Sequence, residues 1–242
     1  IDPEWTSGNY PDYDKQDFLF SNNAPIQNHT LSATGGNDKS KYFLSMNYLD
    51  QEGITRNTGY ERIALRTNLE TQVFSDKIKL GLNLNPSRSV YTSNGAEGKD
   101  SNTNWILWSG PLVKTDEFYY DYEANQARND YSEYYNFHPA FTPKFLNIDN
   151  VKPTREHIQL AANSYLEVEL LEGLKVKTSG GILYGFDKSK TFVGLVPGQG
   201  TISRSLSSGI GKNWLWENTL NYSKTIDKHS FNILAGYSSQ KA

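Results

Sequence analysis

Four carboxylates crowd into residues 116–123 of this chain: Asp116, Glu117, Asp121 and Glu123. Oxygen donors in that number suit a hard cation such as Ca²⁺, which takes about 6–8 of them. No twelve-residue calcium-loop pattern accompanies them, so the group reads as a solvated acidic surface and no metal is expected. His29, His138, His157 and His229 are scattered, with no two at ligand spacing, and read as structural or surface residues. Gly198-Gln199-Gly200 and Gly209-Ile210-Gly211 lack the strand–glycine–helix setting that cradles a phosphate, and read as loop glycines. No serine or carboxylate stands in a recognisable nucleophile setting. Catalysis and a cofactor are therefore not expected.

Binding chemistry is better represented. The chain holds 5 Trp, 16 Tyr and 11 Phe. Residues 91–154 alone carry Trp105, Trp108, Phe118, Tyr119, Tyr120, Tyr122, Tyr131, Tyr134, Tyr135 and Phe137. A structureless segment of that length is usually functional or disordered, and disordered segments are poor in aromatics. These rings must then pack on something. Stacking on sugars or peptide groups, seating a partner protein, and forming the loop's own small core all remain open.

The 242 residues are 36% hydrophobic and 21% charged, with a mean hydropathy of -0.66. No stretch approaches the ~18 consecutive apolar residues of a membrane-spanning helix. A membrane barrel escapes that test, because its strands are greasy on one side only. A net charge of -3 leaves no basic footprint for nucleic acid. The absence of cysteine removes disulfides, thiolate metal sites and thiol nucleophiles. No basic n-region or apolar h-region opens the sequence, which reads as an internal piece of a longer, exported protein.

The elements that must position these residues announce themselves by alternation. Tyr42, Leu44, Met46 and Tyr48 are every second residue, as are Ile78, Leu80, Leu82 and Leu84. Ile158, Leu160, Ala162, Leu166, Val168 and Leu170 repeat the pattern. Side chains of a strand alternate between faces, so each segment has one greasy and one wet side. About eight strands are expected, near 27–35, 41–51, 59–73, 77–90, 155–171, 174–187, 212–226 and 229–239. Residues 116–135 admit a short helix.

Connections alternate too. Segments 35–40, 74–77, 171–173 and 227–228 are tight turns, whereas 51–58, 91–154 and 188–211 are longer loops. Parity of the apolar residues flips across 74–77 and 227–228, which demands even-length loops, and is kept across 171–173, which demands an odd one. One apolar face then runs unbroken from strand to strand. Long strands with asymmetric connections fit an outer-membrane β-barrel. A soluble extracellular carbohydrate-binding β-protein is the alternative.

Residues 28–53, NHTLSATGGNDKSKYFLSMNYLDQEG, followed by Tyr60-Glu-Arg62-Ile-Ala-Leu-Arg66-Thr-Asn68, resemble the SusC/RagA family of TonB-dependent outer-membrane transporters. Residues 171–179, 216–224 and 234–237 resemble it as well. The resemblance covers most of the chain from about residue 26. It implies an all-β antiparallel meander forming part of a barrel of about 22 strands in the bacterial outer membrane. It also implies a plug reached by TonB, a SusD-like surface lipoprotein as lid, and import of glycans or peptides. No segment here matches the plug. Residues 1–26 would lead into the barrel wall at 27–242, with the remaining strands supplied by chain outside this sequence.

Roles follow from face and loop. Trp105, Trp108, Tyr119, Tyr120, Tyr122, Tyr134 and Tyr135 are the candidates for substrate or lid contact. Arg62, Arg66, Glu167 and Glu169 should face the lumen. Tyr42 and Tyr48, six residues or ~20 Å apart along a strand, should mark opposite edges of an apolar band about 25 Å tall. Tyr184, Trp214, Trp216 and Tyr237 join them as interface aromatics.

Overall fold

The computed structural model describes residues 15–74, 77–94, 120–121, 126–127, 151–194 and 201–241. A short helix, α1 (Lys15–Leu19), precedes the strands β1 (Ile26–Gly36), β2 (Ser40–Glu52), β3 (Gly59–Val73) and β4 (Ile78–Thr92). Two residue pairs, β5 (Tyr120–Asp121) and β6 (Gln126–Ala127), form a separate small ladder. The long strands β7 (Val151–Leu171), β8 (Leu174–Val193), β9 (Ser203–Ile226) and β10 (His229–Lys241) complete the chain. Where residues 116–135 admitted a helix, β5 and β6 are extended; crowded Tyr and Asp side chains favour that over a helix.

One antiparallel sheet holds the eight long strands in the order β1-β2-β3-β4-β7-β8-β9-β10. Every neighbour in space is the next long strand in sequence, as in a meander. Lengths of the eight long strands run from 11 to 24 residues, at or beyond the ~9–11 that cross a bilayer at a tilt. Among the described residues no helix is long and apolar enough to cross a membrane.

The turns at one end explain the register. Asn37 Oδ1 accepts hydrogen bonds from the Lys39 and Ser40 amides at 2.9 and 2.8 Å, closing the β1–β2 hairpin. Val73 pairs with Ile78 across four residues, the even loop that the parity flip requires. Ile226 pairs with His229 across two residues, again even. Between β7 and β8 parity is kept by a different device than an odd loop. Leu171 pairs with Leu174 across two residues, and a register shift between Glu169 and Leu171 inserts one extra residue. A two-residue turn plus a bulge has the same effect on the faces as three residues in the loop.

The far end departs from expectation. Residues 188–193 and 203–211, read as loop, are strand, and Val193 pairs with Ser203. Ser, Gly, Lys and Arg interrupt the greasy alternation there, leaving only Phe192, Leu206 and Ile210 on that face, but ladder bonds are made by the backbone and do not need it. The β8–β9 connection shrinks to residues 194–202. Likewise β4 and β7 extend to Thr92 and back to Val151.

The sheet has almost no core. Among the described residues only Leu19 is a fully buried apolar side chain. The row Leu44–Thr67–Leu84–Ala162–Ile182–Trp214 is a chain of direct cross-strand partners on one face. Its members stay open: Ile182 is 46% exposed and Leu44 45%. No second sheet or helix layer covers this face among the described residues.

Gly173 has φ +77°, and a Cβ there would run into the Ser223 carbonyl. A Cβ on Gly180 meets nothing within 4 Å. Gly173→Val in the full-length protein is therefore expected to cost at least about 1–2 kcal/mol, read as a lower denaturant midpoint. Gly180→Val should leave the midpoint unchanged or raise it.

Candidate functional site

The face opposite the apolar rows carries most of the specific polar contacts. Near the tight-turn end, Tyr165 on β7 reaches across β4 to β3, where its hydroxyl donates to Glu70 Oε2 at 2.8 Å. The ring crosses Gly81, which pairs with both Glu70 and Tyr165. Any Cβ at position 81 would strike it, so glycine is required for this close approach. Lys79 adds an ion pair to Glu70 at 3.1 Å. Lys177 on β8 lies 4.4 Å from the Tyr165 ring centre. Four strands are thus tied by side chains as well as by their ladders.

Farther along, Asn68, Asn83 and Asn163 are direct cross-strand partners, a row of uncharged amides with donors and acceptors. The Arg66 guanidinium lies 5.9 Å from the Phe43 ring centre. Arg62 donates to Asn47 Oδ1 at 3.2 Å, and Asn47 Nδ2 donates to Asn28 Oδ1 and Thr30 Oγ1. Toward the long-loop end His157 Nδ1 and Asp187 Oδ1 are 2.9 Å apart. This face is not wholly polar, since Leu183 and Leu215 also lie on it.

At the long-loop end the stretch after α1 folds over the β2–β3 connection. The Ser21 amide donates to the Ile54 carbonyl and the Arg56 amide to the Leu19 carbonyl, both at 2.8 Å. Asn94 Nδ2 donates to the Arg56 carbonyl at 2.7 Å, with Asn94 only 1% exposed. Residues 15–25 thus approach β1 from the side of the long connections.

Arg62, Arg66, Glu167 and Glu169 all lie on the polar face, as their parity dictates. The pairing brings Glu167 opposite Lys79 and Lys177, whereas Glu169 stands opposite Lys175, and neither gathers with the two arginines. Tyr42, Tyr48, Tyr184, Trp214, Trp216 and Tyr237 all lie on the apolar face. Trp216 Nε1 donates to Thr178 Oγ1 at 3.0 Å. A groove of about 720 Å³ is lined by Trp216 together with Leu69, Leu82, Ser164, Leu166 and Gly180.

Trp105, Trp108, Tyr119, Tyr122, Tyr134 and Tyr135 lie outside the described residues, as do Phe118, Tyr131, Phe137, His138, Asp116, Glu117 and Glu123. Tyr120 and Asp121 are described as backbone of β5 only. Among the described residues no three His, Asp or Glu side chains gather as a metal would require. Sequence reasoning missed Glu70, Lys79 and Tyr165. The one available signal was an aromatic, Tyr165, out of step with the apolar parity of its strand.

No family model matches the chain. TonB-dependent receptor P3 of Formosa agariphila is 27% identical over 240 residues, covering 94% of this chain and 22% of its own. Receptor P26 of the same organism is 26% identical over 96% of this chain and 22% of its own. Among solved structures, the RagAB peptide transporter superposes with a TM-score of 0.73 at 22% identity, over 96% of this chain and 26% of that one. The same importer in its open-open state gives 0.71 at 20% identity, over 94% of this chain and 25% of that one. The resemblance is to TonB-dependent receptors of the SusC/RagA type. The fold is an eight-stranded piece of their outer-membrane β-barrel. This chain spans about a fifth of the length of the curated receptors it matches.

Tyr165→Phe and Gly81→Ala attack one contact from two sides. Each is expected to destabilise the full-length protein by about 1 kcal/mol. The double variant should cost little more than the larger single one, because both remove the Tyr165–Glu70 bond. Denaturant midpoints in detergent would show the non-additivity, and full additivity would refute the coupling.

Proposed function

We propose that this sheet is wall of an importer that carries glycans or oligopeptides across the bacterial outer membrane without altering them. The supporting observation is the division of one uncovered sheet into two unlike faces. An open apolar face rich in Leu, Ile and aromatic residues suits hydrocarbon, and a face tied by Tyr165, Glu70, Lys79 and the asparagine row suits a watery lumen. In this reading Arg62, Arg66, Glu167 and Glu169 line the conduit. Tyr42, Tyr48, Tyr184, Trp214 and Tyr237 sit at the membrane interfaces, where rings with one wet edge are favoured.

The same reading divides the labour. Rigid strands from 27 to 242 give the wall, and residues 1–26 lead into it. The aromatic segment within 91–154, including Trp105, Trp108, Tyr119, Tyr120, Tyr122, Tyr134 and Tyr135, faces outside and contacts substrate or a SusD-like lipoprotein lid. A plug in another part of the protein gates the lumen and is pulled by TonB. Transport of this kind needs no catalytic residue and no cofactor. A soluble sugar-binding protein would need its apolar face covered, and among the described residues nothing covers it.

Uptake of labelled oligopeptide and of labelled oligosaccharide by cells making the full-length protein with its neighbouring lipoprotein tests this. Uptake of one class is expected, and it should vanish when TonB is removed. Trp105→Ala and Trp108→Ala should weaken uptake by about three- to tenfold if each ring stacks on cargo or lid. Full-length protein that stays soluble and monomeric without detergent would sink the membrane reading. The 242 residues alone, with β1 and β10 each paired on one side only among the described residues, should not transport in vesicles.

A further inference from the structure

Toward the long-loop end of β7, β8 and β9 the apolar face turns basic, beginning with Lys212, which pairs with Tyr184 and whose Nζ lies 5.8 Å from that ring centre. On β8 the outward series Ile182, Tyr184, Phe186 is followed by Lys188 and Lys190. Successive partner rows show what surrounds them. Ile158, Phe186 and Ile210 form one row, and Glu156, Lys188 and Ser208 the next. Thr154, Lys190 and Leu206 follow, and then Lys152, Phe192 and Arg204. Phe192, 45% exposed, therefore has a cation directly opposite on each side, with Lys190 one pleat below. The single carboxylate in these rows, Glu156, is engaged by Arg88 from β4 at 2.6 Å. Lys152, Lys188, Lys190 and Arg204 make no ion pair among the described residues. On β2 and β3 the corresponding face is acidic instead, with Asp50 and Glu61 paired across the strands.

We infer that this patch binds the phosphorylated headgroup of an outer-leaflet glycolipid, holding it against the barrel wall. Charge and continuity both select that occupant. Side chains on adjacent strands of one face lie about 4.5–5.5 Å apart, or 7–8 Å on the diagonal, so several cations converge within reach of a single phosphate group. Exposed Phe192, Leu206 and Ile210 are interleaved with them, and the patch runs straight into the Phe186–Tyr184–Ile182 surface. An amphiphile can place phosphate on the lysines and acyl chains on the rows beneath, whereas a free anion would use only the first half. Basic side chains near an anionic surface each add to its attraction, so four acting together give clear selectivity.

The inference rests on the membrane reading above, and its test separates the two. Full-length receptor in detergent is titrated with bisphosphorylated lipid A, with the same lipid dephosphorylated, and with inorganic phosphate, and bound lipid is counted by native mass spectrometry. The bisphosphorylated lipid should bind at least about tenfold more tightly than its dephosphorylated form, with inorganic phosphate failing to compete. Lys188→Gln/Lys190→Gln should lose most of that preference, while Lys175→Gln/Lys177→Gln, on the opposite face, should retain it. Folding of each variant is checked by the heat at which its compact gel band disappears. Equal binding of the two lipids, or no effect of Lys188→Gln/Lys190→Gln in folded protein, overturns the inference. Competition by inorganic phosphate overturns the lipid as occupant. A receptor that needs no detergent overturns instead the reading beneath.

Discussion

Backbone hydrogen bonding in hydrocarbon governs everything else in this structure. An N–H or C=O left unpaired in a bilayer has no water to turn to, and each such group costs several kcal/mol. A strand can cross only if both neighbours are in place. The unbroken order from β1 to β10 satisfies that for six strands and, among the described residues, leaves β1 and β10 each with one open edge. Pro86 shows how tight the demand is. The β3–β4 ladder lapses opposite Asn85 and Pro86, while pairing toward β7 continues through Pro86 and Leu160. A residue without an amide proton is tolerated where only one side of the ladder suffers.

Once pairing is obligatory, the two faces are free to follow separate rules. The apolar face is permissive about identity, so Leu69, Leu82, Ser164, Gly180 and Trp216 can share a row. The polar face is where identity matters. Tyr165 can reach Glu70 only because position 81 is glycine, and Lys79 and Lys177 approach the same ring and carboxylate from either side. These contacts cross three strand boundaries, so they lock the relative register of β3, β4, β7 and β8 in addition to the backbone. A one-residue slip in any of them would turn the whole group toward the membrane.

This separation also explains what was legible in the residues alone. Period-two alternation placed Leu44, Leu82, Ile158 and Tyr184 on one face and Arg62, Arg66, Glu167 and Glu169 on the other, because parity is a local property. Parity across the turns even demanded an extra residue between β7 and β8, supplied by the bulge at Glu169–Leu171 rather than by the loop. The Tyr165–Glu70 bond was not legible, since it joins residues far apart in sequence through a register that no local pattern encodes. The stretches 188–193 and 203–211 were misread for the opposite reason. Their local pattern keeps only Phe192, Leu206 and Ile210 on the greasy face, broken up by Lys, Arg and Ser, and yet their backbones pair to the end.

Those last stretches show where the membrane's authority stops. β8 and β9 are roughly twice as long as a bilayer crossing requires, so their outer halves stand in a polar medium. There the former apolar face accepts Arg88, Glu156, Lys188 and Lys190, charges that would be costly at the bilayer centre. The Arg88–Glu156 bridge is half-exposed on its arginine side and in water contributes no more than about 1 kcal/mol. An isolated two-stranded ribbon is marginal at best, so such pairs cannot hold the rim by themselves. What holds it is continuity: each rim residue is the extension of a strand whose lower half is fixed by obligatory pairing, and the ladder carries that order outward into water.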